Sequence, residues 1–241
     1  MILGIIPARY ASTRFPGKPL IIINGKPMIQ LVYEQALKSE LDAVVVATDD
    51  FRIADTVSSF GGNVVMTSEN HPSGTDRCAE ALLNFKGDWK AVVNIQGDEP
   101  YIQPSQINAI ASLLKNGAPI ATLVKKIESV EELTNINSPK VVLSNQGDAL
   151  FFSRQPIPFQ KGVDISDWLN HGTYYKHIGI YGYQADLLPK LTQLKQGALE
   201  KAESLEQLRW LENGYGIKVA ETTENTFAID TPEDLLRLKT L

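Results

Sequence analysis

The chain has 241 residues, 43% hydrophobic and 21% charged: enough apolar length to bury a sizeable core, and too little polar bias for a disordered or fibrous chain. Its net charge of −5 argues against a protein whose main affinity is for a nucleic-acid backbone, because counterion-release binding needs a basic surface. The single cysteine, Cys78, cannot form an intrachain disulfide, and with three scattered histidines it gives no zinc-ligand spacing, so a reducing, cytoplasmic compartment is expected. The aliphatic runs Leu20 to Ile23 and Ala43 to Ala47 fall far short of the roughly 20 residues of a membrane helix, so neither a span nor a membrane partner is expected. Met1 to Ile6 lacks a preceding basic stretch and reads as a first strand rather than a signal peptide.

From Ile2 onward short aliphatic runs alternate with helical periodicity, the signature of a mostly parallel sheet covered on both faces. Strands are predicted at Ile2–Ile6, Ala43–Ala47, Val64–Met66, Ala91–Ile95 and Ile120–Val124. Between them, Ile29, Val32, Tyr33, Ala36 and Leu37 mark an amphipathic helix begun at Pro27. Ile53, Ala54 and Val57 mark a second, stopped by Gly61-Gly62. Ala79, Leu82 and Leu83 mark a third, and Ile107 to Leu114 a fourth, opened by Pro104 and closed by Gly117.

After about residue 135 the rhythm changes. Val141-Val142-Leu143 and Leu150-Phe151-Phe152 flank a Ser-Asn-Gln-Gly-Asp turn and predict a hairpin, so the sheet is expected to be mixed. Residues 155–173 read as a long loop carrying an exposed-looking Trp168, and Tyr175 to Tyr183 as an alternating strand. The tail returns to helix, strand and helix. One domain over 1–241 results, with an excursion around 135–175.

Chemistry concentrates in three places. The first strand runs into Pro7-Ala8-Arg9-Tyr10-Ala11-Ser12-Thr13-Arg14-Phe15-Pro16-Gly17-Lys18-Pro19, whose cations suit a polyphosphate at a sheet's carboxyl edge. A solvated basic loop explains the same residues. Gly17-Lys18 is followed by proline and no G-x-G-x-x-G occurs, which disfavours P-loop and dinucleotide-binding enzymes. In Gln96-Gly97-Asp98-Glu99-Pro100 a carboxylate ends a buried strand, where it could hold Mg²⁺ against phosphates or simply shape a turn. In Asp230-Thr231-Pro232-Glu233-Asp234, Thr231 suits an N-cap with Asp234 at N3, leaving Asp230 available as a second metal carboxylate. Ser204-Leu205-Glu206-Gln207 also fits a capping box, and His177, alone in an alternating strand, reads more readily as a half-buried structural histidine than as a ligand.

Taken together, Ile5 to Leu20, Ala47-Thr48-Asp49-Asp50, His71 to Arg77, Asn94 to Pro100, Phe152-Ser153-Arg154, His177 to Tyr183, Glu206 to Arg209 and Asp230 to Leu235 resemble the CMP-acidic-sugar synthetases, a nucleotidyltransferase family, over nearly the whole chain. The resemblance implies a Rossmann-like, mixed but mostly parallel sheet flanked by helices, of the nucleotide-diphospho-sugar transferase type. It implies transfer of CMP from CTP to the anomeric hydroxyl of 3-deoxy-manno-octulosonate (Kdo), for lipopolysaccharide synthesis, with Mg²⁺ as cofactor and pyrophosphate released. A related acid such as 8-amino-Kdo or a sialic acid is the alternative acceptor, and a non-catalytic nucleotide-binding module the alternative class. The implied roles are Arg9, Arg14 and Lys18 on the triphosphate, with Asp98, and Pro7, Ala8, Ser73, Gly74 and Thr75 around the cytidine. Asp98 and Asp230 would bind metal. Gln96, Arg154, His177, Tyr181, Glu206 and Gln207 would face the sugar, Arg154 or a protonated His177 meeting its carboxylate. A homodimer, formed through the excursion, is implied as well.

Overall fold

Aliphatic, β-branched runs supply the strands of the first half, and amphipathic runs between them supply the helices. The order is β1 (Ile2–Ala8), β2 (Ile22–Ile23), β3 (Lys26–Pro27), α1 (Met28–Leu37), β4 (Ala43–Thr48), α2 (Phe51–Ser59), β5 (Val64–Met66), α3 (Gly74–Asn84), β6 (Ala91–Asn94), α4 (Pro104–Lys115) and β7 (Ile120–Lys126). Side chains close the helix starts: Asp50 Oδ1 accepts from the Arg52 amide at 2.9 Å, and Ser73 Oγ from the Asp76 amide at 3.2 Å. The second half adds α5 (Val130–Thr134), β8 (Lys140–Leu143), β9 (Ala149–Ser153), α6 (Trp168–His171), β10 (Tyr175–Gln184), α7 (Leu188–Thr192), α8 (Ala198–Glu203), α9 (Gln207–Glu212), β11 (Ile217–Glu221) and α10 (Pro232–Leu238). This computed structural model describes residues 1–11, 15–225, 228–229 and 231–238, the last three as backbone alone.

Among the described residues, nine strands form one mixed sheet with the path β11-β7-β10-β6-β1-β4-β5, and β8 joins through β10 with β9 beyond it. β1 pairs parallel to both β4 and β6, and β11 parallel to β7, whereas β10 runs antiparallel between β6 and β7. The expected mixed sheet and the 141–152 hairpin are therefore present. One face packs Ile29, Val32, Ile53, Ile107 and Ile110 from α1, α2 and α4, and the other packs Cys78, Ala81, Leu188, Leu208 and Trp210 from α3, α7 and α9. Every parallel strand is thus covered on both sides, and its carboxyl edge is the free rim where a ligand can approach.

Four expectations need correction. Trp168 is buried rather than exposed: it stacks on Tyr174 at 5.9 Å and packs with Ile127 and Leu133, its indole N–H donating to the Val163 carbonyl at 3.0 Å. The 155–173 segment is not wholly loop, since a 3₁₀ turn at Ile165–Asp167 runs into α6. Ser204 forms no capping box, because it ends α8 with φ of 51° and α9 starts only at Gln207. β10 does not alternate throughout: Ile178 pairs with Leu123 but Tyr181 with Thr122, so Gly179 and Ile180 bulge out of register. The box at Thr231 does form, with the Thr231 amide donating to Asp234 Oδ2 at 2.9 Å and the Asp234 amide to Thr231 Oγ1 at 3.4 Å.

Candidate active site

The carboxyl ends of β1 and β6 approach so closely that side chains are excluded between them. A Cβ on Gly97 would stand 2.9 Å from the Pro7 carbonyl oxygen, so only glycine lets the turn after β6 lie against the end of β1. That approach sets the next residue, Asp98, beside the loop leaving β1. There the Lys18 ammonium donates to Asp98 Oδ2 at 2.7 Å, both side chains only partly exposed, which makes a short charge-assisted contact at the rim. On the other side of Pro7, a Cβ on Gly74 would sit 3.4 Å from the proline ring, so the start of α3 abuts the same strand end. Pro7, Ala8, Ser73, Gly74 and Thr75 are thereby gathered around one corner. Arg9 is exposed at the mouth of the loop, while Arg14 and Asp230 lie outside the described residues. Ile229, immediately before Asp230, donates its amide to the Asp98 carbonyl at 2.9 Å.

At the start of α3 the site turns toward its second half. The Thr75 hydroxyl donates to Glu206 Oε2 at 2.8 Å, and the Ser73 hydroxyl lies within reach of Glu206 Oε1 at 3.1 Å and Asp76 Oδ2 at 2.6 Å. Burial holds the Glu206 carboxyl above its ordinary range, opposed by these two hydroxyls. The pair Arg209 and Glu200, with N···O distances of 2.6 Å, ties α9 to α8 and so fixes where Glu206 stands. Beyond it lies an aromatic wall in which Tyr181 meets Trp210 edge-on at 5.1 Å and His177 at 5.2 Å. Gln207 is buried with its Nε2 unpartnered, and so is Asn94 Oδ1 on β6. Buried polar atoms left open in this way are what a polar ligand satisfies.

Two residues stand differently from the sequence expectation. His177 is not a cation: burial among Phe152, Tyr181 and β7 lowers its pKa to about 3, so it meets a ligand as the neutral ring. Arg154 directs its guanidinium to three backbone carbonyls, of Glu203 at 2.7 Å, Ile136 at 3.1 Å and Ser204 at 3.2 Å, and so anchors the chain just ahead of Glu206. Gln96 donates to the Gly179 carbonyl at 3.0 Å.

Sequence reasoning missed Thr122, Arg77 and Glu99. Thr122 is a lone polar residue in the aliphatic run Ile-Ala-Thr-Leu-Val, a signal that was there to find. Arg77 is buried behind the site, donating to Thr67 Oγ1 at 2.6 Å and Asp49 Oδ2 at 2.8 Å. Glu99 is buried beside Asp98, and burial together with the neighbouring carboxylate pushes its pKa up to about 7. Cys78 is buried, which pushes its thiol pKa up and leaves it inert.

Asp98 offers carboxylate oxygen at a partly open rim. That is the hard donor that Mg²⁺ takes, usually with one or two carboxylates completed by phosphate oxygens and water, so the residues present fit that ion. Among the described residues no group of three or more His, Cys, Asp or Glu is placed to hold a metal by itself.

Residues 3–223 match the family model described as cytidylyltransferase. The chain is 57% identical to a 3-deoxy-manno-octulosonate cytidylyltransferase of Cytophaga hutchinsonii, over 98% of this chain and 96% of that protein. It is 58% identical to one from Parabacteroides distasonis, over 97% and 94%. The solved structure of CMP:2-keto-3-deoxy-manno-octonic acid synthetase complexed with CTP superposes with a TM-score of 0.92 at 41% identity, covering 99% of this chain and 97% of the other.

Proposed function

The chain belongs to the cytidylyltransferase family, and from that premise we infer that its cleft transfers CMP from CTP to the anomeric hydroxyl of Kdo, releasing pyrophosphate. The observation that carries this reading is the 2.7 Å contact between Lys18 and Asp98 across the carboxyl ends of β1 and β6, where an open α/β sheet takes its ligand. The product is the activated sugar that lipopolysaccharide assembly consumes.

The difficulty of the reaction is electrostatic. An acidic sugar must bring a hydroxyl oxygen onto the α-phosphorus of a tetra-anionic nucleotide. Arg9, Arg14 and Lys18 offset that repulsion along the triphosphate, and Pro7, Ala8, Ser73, Gly74 and Thr75 seat the cytidine against α3. Asp98 and Asp230 would hold Mg²⁺, which would supply charge to the phosphate oxygens. The bond from the anomeric oxygen to the α-phosphorus forms as the bond from that phosphorus to the α,β-bridging oxygen breaks, pyrophosphate leaves with that oxygen, and the hydroxyl proton passes to water. No side-chain nucleophile takes part. Glu206, Gln207, Tyr181, His177 and Gln96 line the sugar end, and Arg154 secures the backbone on which Glu206 sits.

We also infer a cytoplasmic homodimer. Among the described residues no helix is long and apolar enough to cross a membrane, and the lone cysteine is buried and free. Ile136, Leu150 and Phe159 stand 56%, 59% and 74% exposed on the 135–175 excursion, an apolar surface suited to a second copy. Sedimentation at micromolar concentration should give about twice the 26.6 kDa of one chain, and a value at one chain's mass removes the dimer. For the acceptor, pyrophosphate release from CTP is measured across Kdo, 8-amino-Kdo, a sialic acid and a neutral hexose phosphate. Kdo should give the highest kcat/KM. Equal turnover of the neutral sugar contradicts the assignment.

A further inference from the structure

We propose that Thr122 is a positioning residue that fixes His177 in its Nε2–H tautomer, so that Nδ1 receives a hydrogen bond from a hydroxyl of the acceptor sugar. The proposal rests on the reading above that places His177 at the sugar end.

The argument begins with the bulge in β10. Two residues without a cross-strand partner, Gly179 and Ile180, carry their carbonyls out of the regular ladder. Each then needs a donor from elsewhere, because a buried carbonyl left without one is costly. Gln96 Nε2 serves Gly179 at 3.0 Å. Thr122 Oγ1, fully buried on β7, serves Ile180 at 2.8 Å and also lies 3.2 Å from the oxygen of Ile178, the last residue in register before the bulge.

The same oxygen lies 3.0 Å from His177 Nε2. A hydroxyl carries one proton, and carbonyl oxygens can only accept. The Thr122 proton therefore points into the carbonyl pair, leaving an oxygen lone pair toward the imidazole. Nε2 must bear a hydrogen for that contact to be attractive. The opposite assignment turns the hydroxyl proton to Nε2 and leaves the Ile180 carbonyl of the bulge facing a lone pair. The ring itself is neutral, packed edge-on to Phe152 and tilted against Tyr181, each at 5.2 Å. A neutral ring protonated on Nε2 is bare on Nδ1. Nδ1 has no hydrogen-bonding partner among the described residues, and His177 keeps part of its surface open.

An imidazole presented in this way cannot donate to the sugar's carboxylate. It accepts from a hydroxyl, and a site built to pair with a hydroxyl strongly rejects an analogue that lacks it. Thr122 thus acts on specificity through His177 without touching the sugar.

Long-range proton–nitrogen NMR on protein labelled with nitrogen-15 histidine reads the tautomer directly, His177→Gln assigning the signal among the three histidines. At neutral pH the wild type should show a protonated Nε2 and a bare Nδ1, and Kdo with CMP should shift Nδ1 upfield as it accepts a hydrogen bond. Thr122→Val should mix the tautomers and raise the KM for Kdo about ten-fold with the KM for CTP unchanged, the scale of one lost hydrogen bond. Thr122→Ser, which keeps the hydroxyl, should restore both. A protonated Nδ1 in the wild type overturns the proposal, as does a Val variant that keeps tautomer and KM alike. An Nδ1 signal unmoved by sugar overturns the hydroxyl contact. If wild-type protein with the expected tautomer fails to turn over any sugar acid, the functional reading fails while the tautomer assignment stands.

Discussion

Replacing Gly97 with alanine tests whether the approach of β6 to β1 builds the nucleotide end of the cleft. The added Cβ would meet the Pro7 carbonyl oxygen at 2.9 Å, with Ile6 Cγ2 at 3.5 Å and Ile29 Cδ1 at 3.9 Å behind it. The nearest atom is backbone at the end of β1, where Pro7 pairs with Ala47 of β4, so no side chain can swing away to relieve the contact. Overpacking of this kind costs about 1–3 kcal/mol. For a domain of this size each kcal/mol lowers Tm by roughly 2–4 °C, so a drop of about 2–12 °C is expected by thermal unfolding. Relief must separate Pro7 from Asp98, and misplacement of catalytic groups by about 1 Å lowers kcat/KM by up to about 100-fold. Gly216→Ala is the control, since a Cβ there meets nothing within 4 Å and the backbone is not left-handed. If Gly97→Ala melts and turns over like Gly216→Ala, the close contact of the two strand ends does not shape the site.

Asp98→Asn should fold normally and lose turnover by orders of magnitude, with the loss most severe at limiting Mg²⁺; near-normal rates there would remove Asp98 as a metal ligand. Lys18→Ala should weaken CTP far more than CMP, measured by calorimetry, because the lost contacts are to the outer phosphates; equal weakening would place Lys18 elsewhere. His177 takes no proton in the fold until about pH 3, whereas the unfolded chain protonates near the ordinary 6.5. Its contribution to stability is therefore complete above 6.5 and lost as pH falls from 6.5 toward 3, so His177→Gln should flatten that limb of a denaturant-midpoint profile. An unchanged acid limb would show that the ring titrates normally.

What the sequence told about the fold follows from period and capping. The aliphatic run Val64–Met66 is a strand with the same bounds that its composition predicts, and α4 runs from Pro104 to Lys115, as the proline at its start and the glycine after it require. Local pattern failed where tertiary contacts decide. The spacing predicts Leu83 on a buried face with Leu82, but Leu83 is 75% exposed, since the buried stripe of α3 runs through Thr75, Cys78, Ala79 and Ala81. Trp168 looked unattached because its partners Ile127, Leu133 and Tyr174 come from three other segments. Ser204 and Gln207 have the spacing of a cap, yet the turn that seats Glu206 against Ser73 and Thr75 overrides it. The β10 bulge has no sequence signal beyond Gly179, and it is what turns Thr122, Gln96 and His177 into one network.

The most direct test is the identity of the phosphorus that the sugar attacks. Purified protein with CTP, Kdo and Mg²⁺ should show by phosphorus-31 NMR a single new phosphodiester signal, coupled to no other phosphorus, growing in step with pyrophosphate. That is the product of attack at the α-phosphorus. A product with two coupled phosphorus atoms, or release of inorganic phosphate with CDP, would contradict transfer of CMP and with it the arrangement assigned to Lys18 and Asp98.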